Sequence, residues 1–289
     1  MASVSAADQH PDLPLPDYFS KFAAGYVRQT GQSTLNILRN IVTDQIQKSC
    51  HRIGPHSVVH DTAAGPGIAA AALVARLPEN QLPAEMLVSD IVPAMVMGAN
   101  ESLVNSPLRK VECKELDSQD LKGVPNNYFT HSIDNFSIFT FVRPVDAIRE
   151  TYRTLRPGGL AVVTCWRRFA PMYIVHATQR KIRPDLPGGL MPTPSPEFYE
   201  EGVLQRVVEE GGFHHRKIDR FDQELVVVDE EQIAGLTELI SGPMMAKARE
   251  GYTPEEEARW PETVKESVQE EIAQYGGIRF EAYVLLATK

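Results

Sequence analysis

Apolar residues along this chain gather in short runs, and longer stretches with helical spacing separate them. Ser57-Val58-Val59-His60-Asp61 reads as a strand, and Ile68 to Leu77 as a helix of small residues. Glu85 to Asp90 is a second strand. Met95 to Leu103 is the next helix, with Pro93 near its start. Lys110 to Glu115 and Phe129 to Asn135 are two more strands. Val145, Ile148, Tyr152 and Leu155 then share one helical face. Pro157-Gly158-Gly159 is a turn, and Leu160 to Cys165 a fifth strand. Such alternation predicts a parallel α/β sheet with helices on both faces and right-handed crossovers.

The flanks are less regular. Before the first strand, Leu35, Leu38, Ile41, Val42 and Ile46 fall near helical spacing behind Ser33, a candidate N-cap; Gly54-Pro55 ends that element. From Arg167 to Ser195 the pattern weakens and prolines collect, at Pro171, Pro184, Pro187, Pro192 and Pro194. This predicts an excursion over the sheet edge. Glu197 to Glu210 reads as a helix stopped by Gly211-Gly212, and Phe213 to Val228 contains strand-like runs. Asp229 to Lys247 and Pro254 to Gln274 read as helices, and Ile278 to Thr288 as a final strand. Two helices between two strands predict a helical lid inserted in the sheet.

Composition narrows the classes. The chain has 289 residues, with 29 Lys+Arg against 38 Asp+Glu, a net charge of −9. No basic run offsets that balance, which argues against a nucleic-acid partner. Cys50, Cys113 and Cys165 are widely spaced without a CxxC, which excludes a disulfide framework and a cysteine zinc site. No apolar run approaches the roughly 20 residues of a membrane span. Pro11, Pro14 and Pro16 mark residues 1–16 as a disordered tail with no secretory signal. A soluble, reducing, cytoplasmic setting is expected.

Three strand ends carry candidate chemistry. His60-Asp61-Thr62-Ala63-Ala64-Gly65-Pro66-Gly67 joins the first strand to its helix, where open α/β sheets bind ligands. Gly65 and Gly67 let a ligand approach the backbone, and the helix N-terminus is expected to offer free N–H groups to an anion such as a carboxylate. The spacing is not the dinucleotide GxGxxG, because Ala70 stands where its last glycine falls. Asp90 ends the second strand, where an acid can accept from both ribose hydroxyls; it also suits a helix N-cap. Asp117, after the third strand, suits an adenine amino group or a plain Asx turn.

These three sites together resemble the class I methyltransferases that use S-adenosylmethionine. Phe129-Thr130-His131-Ser132-Ile133-Asp134-Asn135-Phe136 resembles that family's fourth motif, and Tyr152-Arg153-Thr154-Leu155-Arg156-Pro157-Gly158-Gly159 its R-x-L-x-P-G-G segment. The likeness spans roughly residues 17 to 166, and the closing strand more loosely. The Asp-x-Ala-x-Gly-Pro-Gly turn and Trp166 after the fifth strand are similar to fungal small-molecule methyltransferases of secondary metabolism. The resemblance implies a doubly wound, Rossmann-like sheet of seven strands, the last antiparallel. It implies a single domain over 17–289, with a helical cap over 17–54, a cofactor-binding core over 55–166, an excursion, later sheet and lid over 167–277, and a closing strand over 278–289.

The resemblance also assigns roles. Asp61, Ala63, Gly65 and Gly67 would shape the methionine end of the cofactor pocket. Asp90 would hold the ribose, Ile91 would pack on the adenine, and Met95 would belong to the cofactor site. Asp117 would take the adenine amino group, beside the Ser118 backbone. Asn135 and Phe136 would sit near the sulfonium, and Tyr26 would fold over the cofactor. Phe136, Phe139, Trp166, Met172, Met244 and Trp260 are the candidate substrate wall. Ala63 and Thr130 depart from the family's usual glycine and aspartate.

Methyl transfer needs alignment and exclusion of water more than acid–base help, although an alcohol or amide would need a base. His131 and His176 are the weak candidates. Cys165-Trp166-Arg167-Arg168 stands where metal-dependent relatives hold ligands, so no metal is expected. The expected partner is a small molecule, with S-adenosylhomocysteine as product, no nucleic acid or membrane, and a monomer or homodimer. The competing readings are a nicotinamide oxidoreductase and a methyltransferase-like protein that catalyses a non-methylating step such as cyclisation.

Overall fold

The computed structural model describes residue 26 and residues 30–185, 189–193 and 195–289. The predicted tail over 1–16 and the start of the cap over 17–25 lie outside the described residues. Among the described residues seven strands form one sheet: β1 (Val58–Thr62), β2 (Glu85–Asp90), β3 (Val111–Glu115), β4 (Phe129–Asn135), β5 (Leu155–Arg168), β6 (Ile218–Val227) and β7 (Ile278–Thr288). Their order is β3-β2-β1-β4-β5-β7-β6. Neighbours from β3 to β5 are parallel, and β7 runs antiparallel to both β5 and β6. The order reverses between β1 and β4, so the crevice of a doubly wound sheet opens at their carboxyl ends.

Eight helices flank the sheet among the described residues: α1 (Gln32–Ile41), α2 (Ile68–Arg76), α3 (Pro93–Leu103), α4 (Pro144–Thr154), α5 (Ala170–Ile182), α6 (Val203–Glu210), α7 (Glu230–Ser241) and α8 (Pro254–Tyr275). Alternate strand residues feed two cores, as a pleated sheet buried on both faces requires. Val59, Ile133, Val162 and Val284 pack with Leu38, Leu73, Val175, Leu236 and Val264 of α1, α2, α5, α7 and α8. Ala161, Val163 and Leu285 face the other way, toward Ile148 of α4 and Val207 of α6. The two helices between β6 and β7 thus share the core of one face.

The weak region after β5 is not irregular throughout, because α5 occupies it. Pro171 lies in the first turn of α5, where its missing N–H has no intrahelical partner to lose. Behind it, Ile174, Val175, Thr178 and Ile182 are buried at helical spacing. Ser33 is not an N-cap. It sits inside α1 after Gly31, and its Oγ accepts from Gln232 Nε2 of α7 at 2.9 Å. The helix expected over Glu197–Glu210 is split into a 3-10 turn, Pro196–Tyr199, and α6. The helix expected over Asp229–Lys247 stops at Ser241, and a 3-10 segment follows at Pro243–Arg249. Pro157-Gly158-Gly159 forms an irregularity inside β5, between the Leu155 and Leu160 pairings with β4.

Two charge groups hold the frame. Arg153, from the R-x-L-x-P-G-G segment, pairs with Glu150 and donates to the carbonyls of Val124 and Leu121, which fixes the loop after β3. Arg168, the last residue of β5, is buried. Its guanidinium grips both carboxylate oxygens of Glu271 on α8, at 2.7 and 2.9 Å, between the rings of Tyr173 and Tyr275.

Candidate functional site

The turn after β1 is built on left-handed backbone. Ala63, Gly65 and Gly67 have φ of 46°, 56° and 89°. Gly67 also admits α3, since a Cβ there would meet Leu103 at 3.4 Å and Ala99 at 3.7 Å. The start of α2 differs from the expectation of free donors. Asp61 Oδ2 accepts from the N–H of Ala69 at 3.1 Å and of Ala70 at 3.4 Å, and the Ala64 carbonyl takes the N–H of Gly67 and Ile68. The protein therefore supplies the helix with its own carboxylate. Asp61 is part of the floor of the turn, and an incoming anion finds these groups engaged.

Asp90 ties the next strand to the same turn. Its Oδ2 accepts from Gly65 N–H and its Oδ1 from Val92 N–H, both at 2.8 Å. Beside this buried acid, Ile91 is 44% exposed, an apolar side chain left uncovered at the tip of β2. Asp117 makes the Asx turn. Its Oδ1 accepts from Gln119 N–H at 2.8 Å. The buried Ser118 hydroxyl lies 2.8 Å from Thr62 Oγ1, linking the ends of β1 and β3. Tyr26 lies over the glycine turn: a Cβ on Gly65 would fall 3.8 Å from its ring. Burial pushes the Tyr26 phenol up, against hydrogen bonds to Thr34 and Thr30.

At the end of β4, Asp134 is buried and accepts at Oδ1 from the Ser137 hydroxyl at 2.5 Å and the Ile138 N–H at 3.1 Å. Burial raises its carboxyl to about 7. Burial also pushes Asp61 well above the ordinary range; Ala70 and Ala69 N–H groups oppose this, and the charges of Asp90 and Asp134 add to it. Asp90 is raised by burial as well. Asp61, Asp90 and Asp134 thus end three adjoining strands, and no Lys or Arg pairs with them among the described residues. Asn135 Nδ2 is buried there without a hydrogen-bond partner. Phe136 takes φ 61°, a costly conformation for a bulky residue, and its ring stacks on Trp166 with centroids 3.9 Å apart.

The comparisons with known proteins follow this geometry. Residues 60–163, from β1 into β5, match the family model described as "Methyltransferase domain". That match covers about a third of the chain and is a likeness to the family over β1 to β5. It is similar to methyltransferase ucsB of Acremonium sp, 28% identical over 46% of this chain and 48% of that protein. It is similar to methyltransferase tpcH of Aspergillus fumigatus, 27% identical over 38% of this chain and 39% of that one. The matched segment thus spans about half or less of the relatives' own lengths. A Haemonchus contortus phospholethanolamine N-methyltransferase 2 shares the fold, with a TM-score of 0.53 and 16% identity over 99% of this chain and 60% of that one.

Around the strand tips the outer candidates divide. His131 lies four residues before Asn135, toward the opposite end of β4. Its Nε2 donates to the His51 carbonyl at 2.9 Å and its Nδ1 lies 2.8 Å from Thr130 Oγ1, so both nitrogens are engaged and it is no base for the strand tips. His176, on α5, donates from Nε2 to the Met191 carbonyl at 2.9 Å. Met95, Met172 and Trp260 are buried; Trp260 is fully enclosed, with Nε1 donating to the Ile240 carbonyl at 3.1 Å. Trp166 is likewise covered, by Phe136, Phe169 and Phe280. Phe139 is half-buried after β4, its carbonyl accepting from Ser195 Oγ at 2.7 Å. The Met244 side chain lies outside the described residues. A cleft of about 220 Å³ beside α5 is lined instead by Gln179, Arg183, Met191, Lys247 and Tyr252. Among the described residues no three His, Cys, Asp or Glu converge to hold a metal ion, and no helix is long and apolar enough to cross a membrane.

Asp134 is absent from the sequence-derived site. Its signal was the Asp-Asn pair ending an apolar strand, but the sequence left its facing open. Ala63 is a testable departure. A left-handed alanine costs about 1–2 kcal/mol, which a glycine avoids at some entropic cost. Ala63→Gly is expected to raise stability by up to about 1 kcal/mol in thermal unfolding; a destabilised variant overturns the reading of strain.

Proposed function

We propose that this methyltransferase moves the methyl group of S-adenosylmethionine to an oxygen, nitrogen or sulfur atom of a small secondary metabolite and leaves S-adenosylhomocysteine. The observation that carries this reading is the pair Asp61 and Asp90, buried on one face of the sheet at adjoining strand tips without a cationic partner, beside the exposed Ile91. A cation carrying a flat apolar base suits that seat. The relatives named as methyltransferases are fungal, which supports a metabolite substrate, and the Haemonchus contortus enzyme is described in complex with S-adenosylhomocysteine.

When bound, the cofactor supplies a methyl group already activated on a cationic sulfur. The chain's own residues do the rest. Each Asp90 oxygen spends one lone pair on a backbone N–H and keeps another for a ribose hydroxyl. Ile91 offers a face to the adenine, and Asp117 keeps Oδ2 for its amino group. Gly65 and Gly67 admit the ligand backbone, and Tyr26 shields the turn from water. Asp61 and Asp90 stabilise positive charge on their face of the sheet through a poorly hydrated interior. Asn135 Nδ2 is a donor aimed at neither protein acceptor nor solvent, available to orient the substrate. Transfer then follows from proximity and alignment.

Calorimetry with S-adenosylhomocysteine tests the site. Each hydrogen bond to a charged group contributes about 1.5–3 kcal/mol, so Asp90→Ala is expected to weaken binding about 10- to 150-fold with circular dichroism unchanged. Equal affinity of the two proteins removes Asp90 from the site. Tight binding of NAD with no response to S-adenosylhomocysteine would favour the oxidoreductase reading. A product heavier by one methyl group, from incubation with a metabolite extract, establishes turnover.

A further inference from the structure

We propose that β3 is a self-recognition edge, on which a second copy of this chain adds its own β3 in antiparallel register centred on Cys113. β3 is an end strand of the sheet, paired on one side with β2. Met86 N–H donates to the Lys110 carbonyl at 2.8 Å and Leu116 N–H to the Asp90 carbonyl at 3.1 Å. The parallel ladder therefore turns the backbone groups of Lys110, Glu112, Lys114 and Leu116 toward β2. Those of Val111, Cys113 and Glu115 point outward, with no strand on them among the described residues.

Charge selects the partner and the register. Glu112 and Lys114 stand on one face, with side chains 56% and 49% exposed, and bridge each other at 2.8 Å. A two-fold axis through Cys113, perpendicular to the sheet, sets Glu112 of each copy opposite Lys114 of the other and Val111 opposite Glu115. It also makes Cys113 and its symmetry mate a hydrogen-bonded pair, which matches the outward backbone groups. Moving the axis one residue back opposes Glu112 to itself and Lys110 to Lys114. Moving it one residue forward opposes Lys114 to itself. Like charges directly opposite destabilise a pair. A short, charged edge blunts pairing with unrelated strands, and its alternating charges complement those of an identical strand run antiparallel.

Light scattering of the whole chain at about 100 μM tests the proposal, together with the parent's concentration dependence. The expected result is a dimer for the parent, at least a tenfold weaker one for Lys114→Glu and for Glu112→Lys, and recovery in the Glu112→Lys/Lys114→Glu double variant. Cys50→Ser protein treated with a short bismaleimide should give a covalent dimer that Cys113→Ser abolishes. A monomeric parent, a Lys114→Glu dimer as tight as the parent's, or a double variant that fails to recover overturns the register and the proposal with it. None of these substitutions touches the acids at the strand tips, so cofactor binding is read independently.

Discussion

Glu271→Ala is expected to lower the stability of the whole chain by about 3–5 kcal/mol, because it leaves a buried charge without its partner. Arg168 is 8% exposed and Glu271 8% exposed. The guanidinium bonds both oxygens of that carboxylate and the Arg279 carbonyl, while Glu271 Oε1 also accepts from Arg279 N–H at 3.2 Å. The pair thereby joins the end of β5, the end of α8 and the start of β7. Its net value differs from the cost of breaking it. Desolvation offsets much of the attraction, so Arg168→Leu/Glu271→Leu should recover most of the loss. Urea denaturation of the parent, both single variants and the double variant gives the coupling. A double variant as unstable as Glu271→Ala would show that the pair's worth lies in something other than matched charge.

Asp134→Asn is expected to leave stability unchanged near pH 4 and to increase it at pH 8 by about 2–4 kcal/mol. The carboxyl ionises at about 7 in the folded protein and near 3.9 in an unfolded chain. Between these values the folded state holds a proton that the unfolded state has released, so stability falls as pH rises through the window. Asparagine keeps an oxygen for Ser137 and Ile138 and has no proton to lose. His60 acts in the opposite sense. Buried against Phe129, with Nε2 2.8 Å from Ser89 Oγ, it is pushed down to about 3, and stability is lost as pH falls from about 6.5. The difference between variant and parent isolates Asp134, since His60 is common to both. Equal differences at pH 4 and pH 8 would remove the buried ionisation. A cation seated at the strand tips should shrink the effect by stabilising the charged form.

Much of the fold was legible because strand burial has a two-residue period and helix burial a longer one. β2, β4 and β7 match their sequence-predicted bounds, β1 is shifted one residue later at both ends, and β3 and α2 differ by a residue at one end. The misses have separate causes. Prolines disguised α5, although Pro171 occupies the one turn that tolerates it. Ser33 looked like a cap because the sequence does not reveal Gln232, its tertiary partner. At the site, spacing located the glycine turn and Asp90 but not the orientation of side chains. Asp61 proved to cap α2, and Met95 and Trp260 proved to be interior. Residue type alone does not distinguish an apolar wall facing a ligand from one facing another helix.

The place of β7 bears on how the chain is made. β6 precedes it in the sequence, yet its sheet partner is β7, which also pairs with β5 on its other side. On a ribosome, therefore, β6 emerges before the strand that joins it to the sheet, with α7 and α8 still to come. During that interval its backbone groups lie open to any neighbouring nascent chain, and the late strand must slot between two elements already present. Slow translation or a shortage of chaperones would fall hardest on this last third of the molecule, while the β1–β5 half could already be formed.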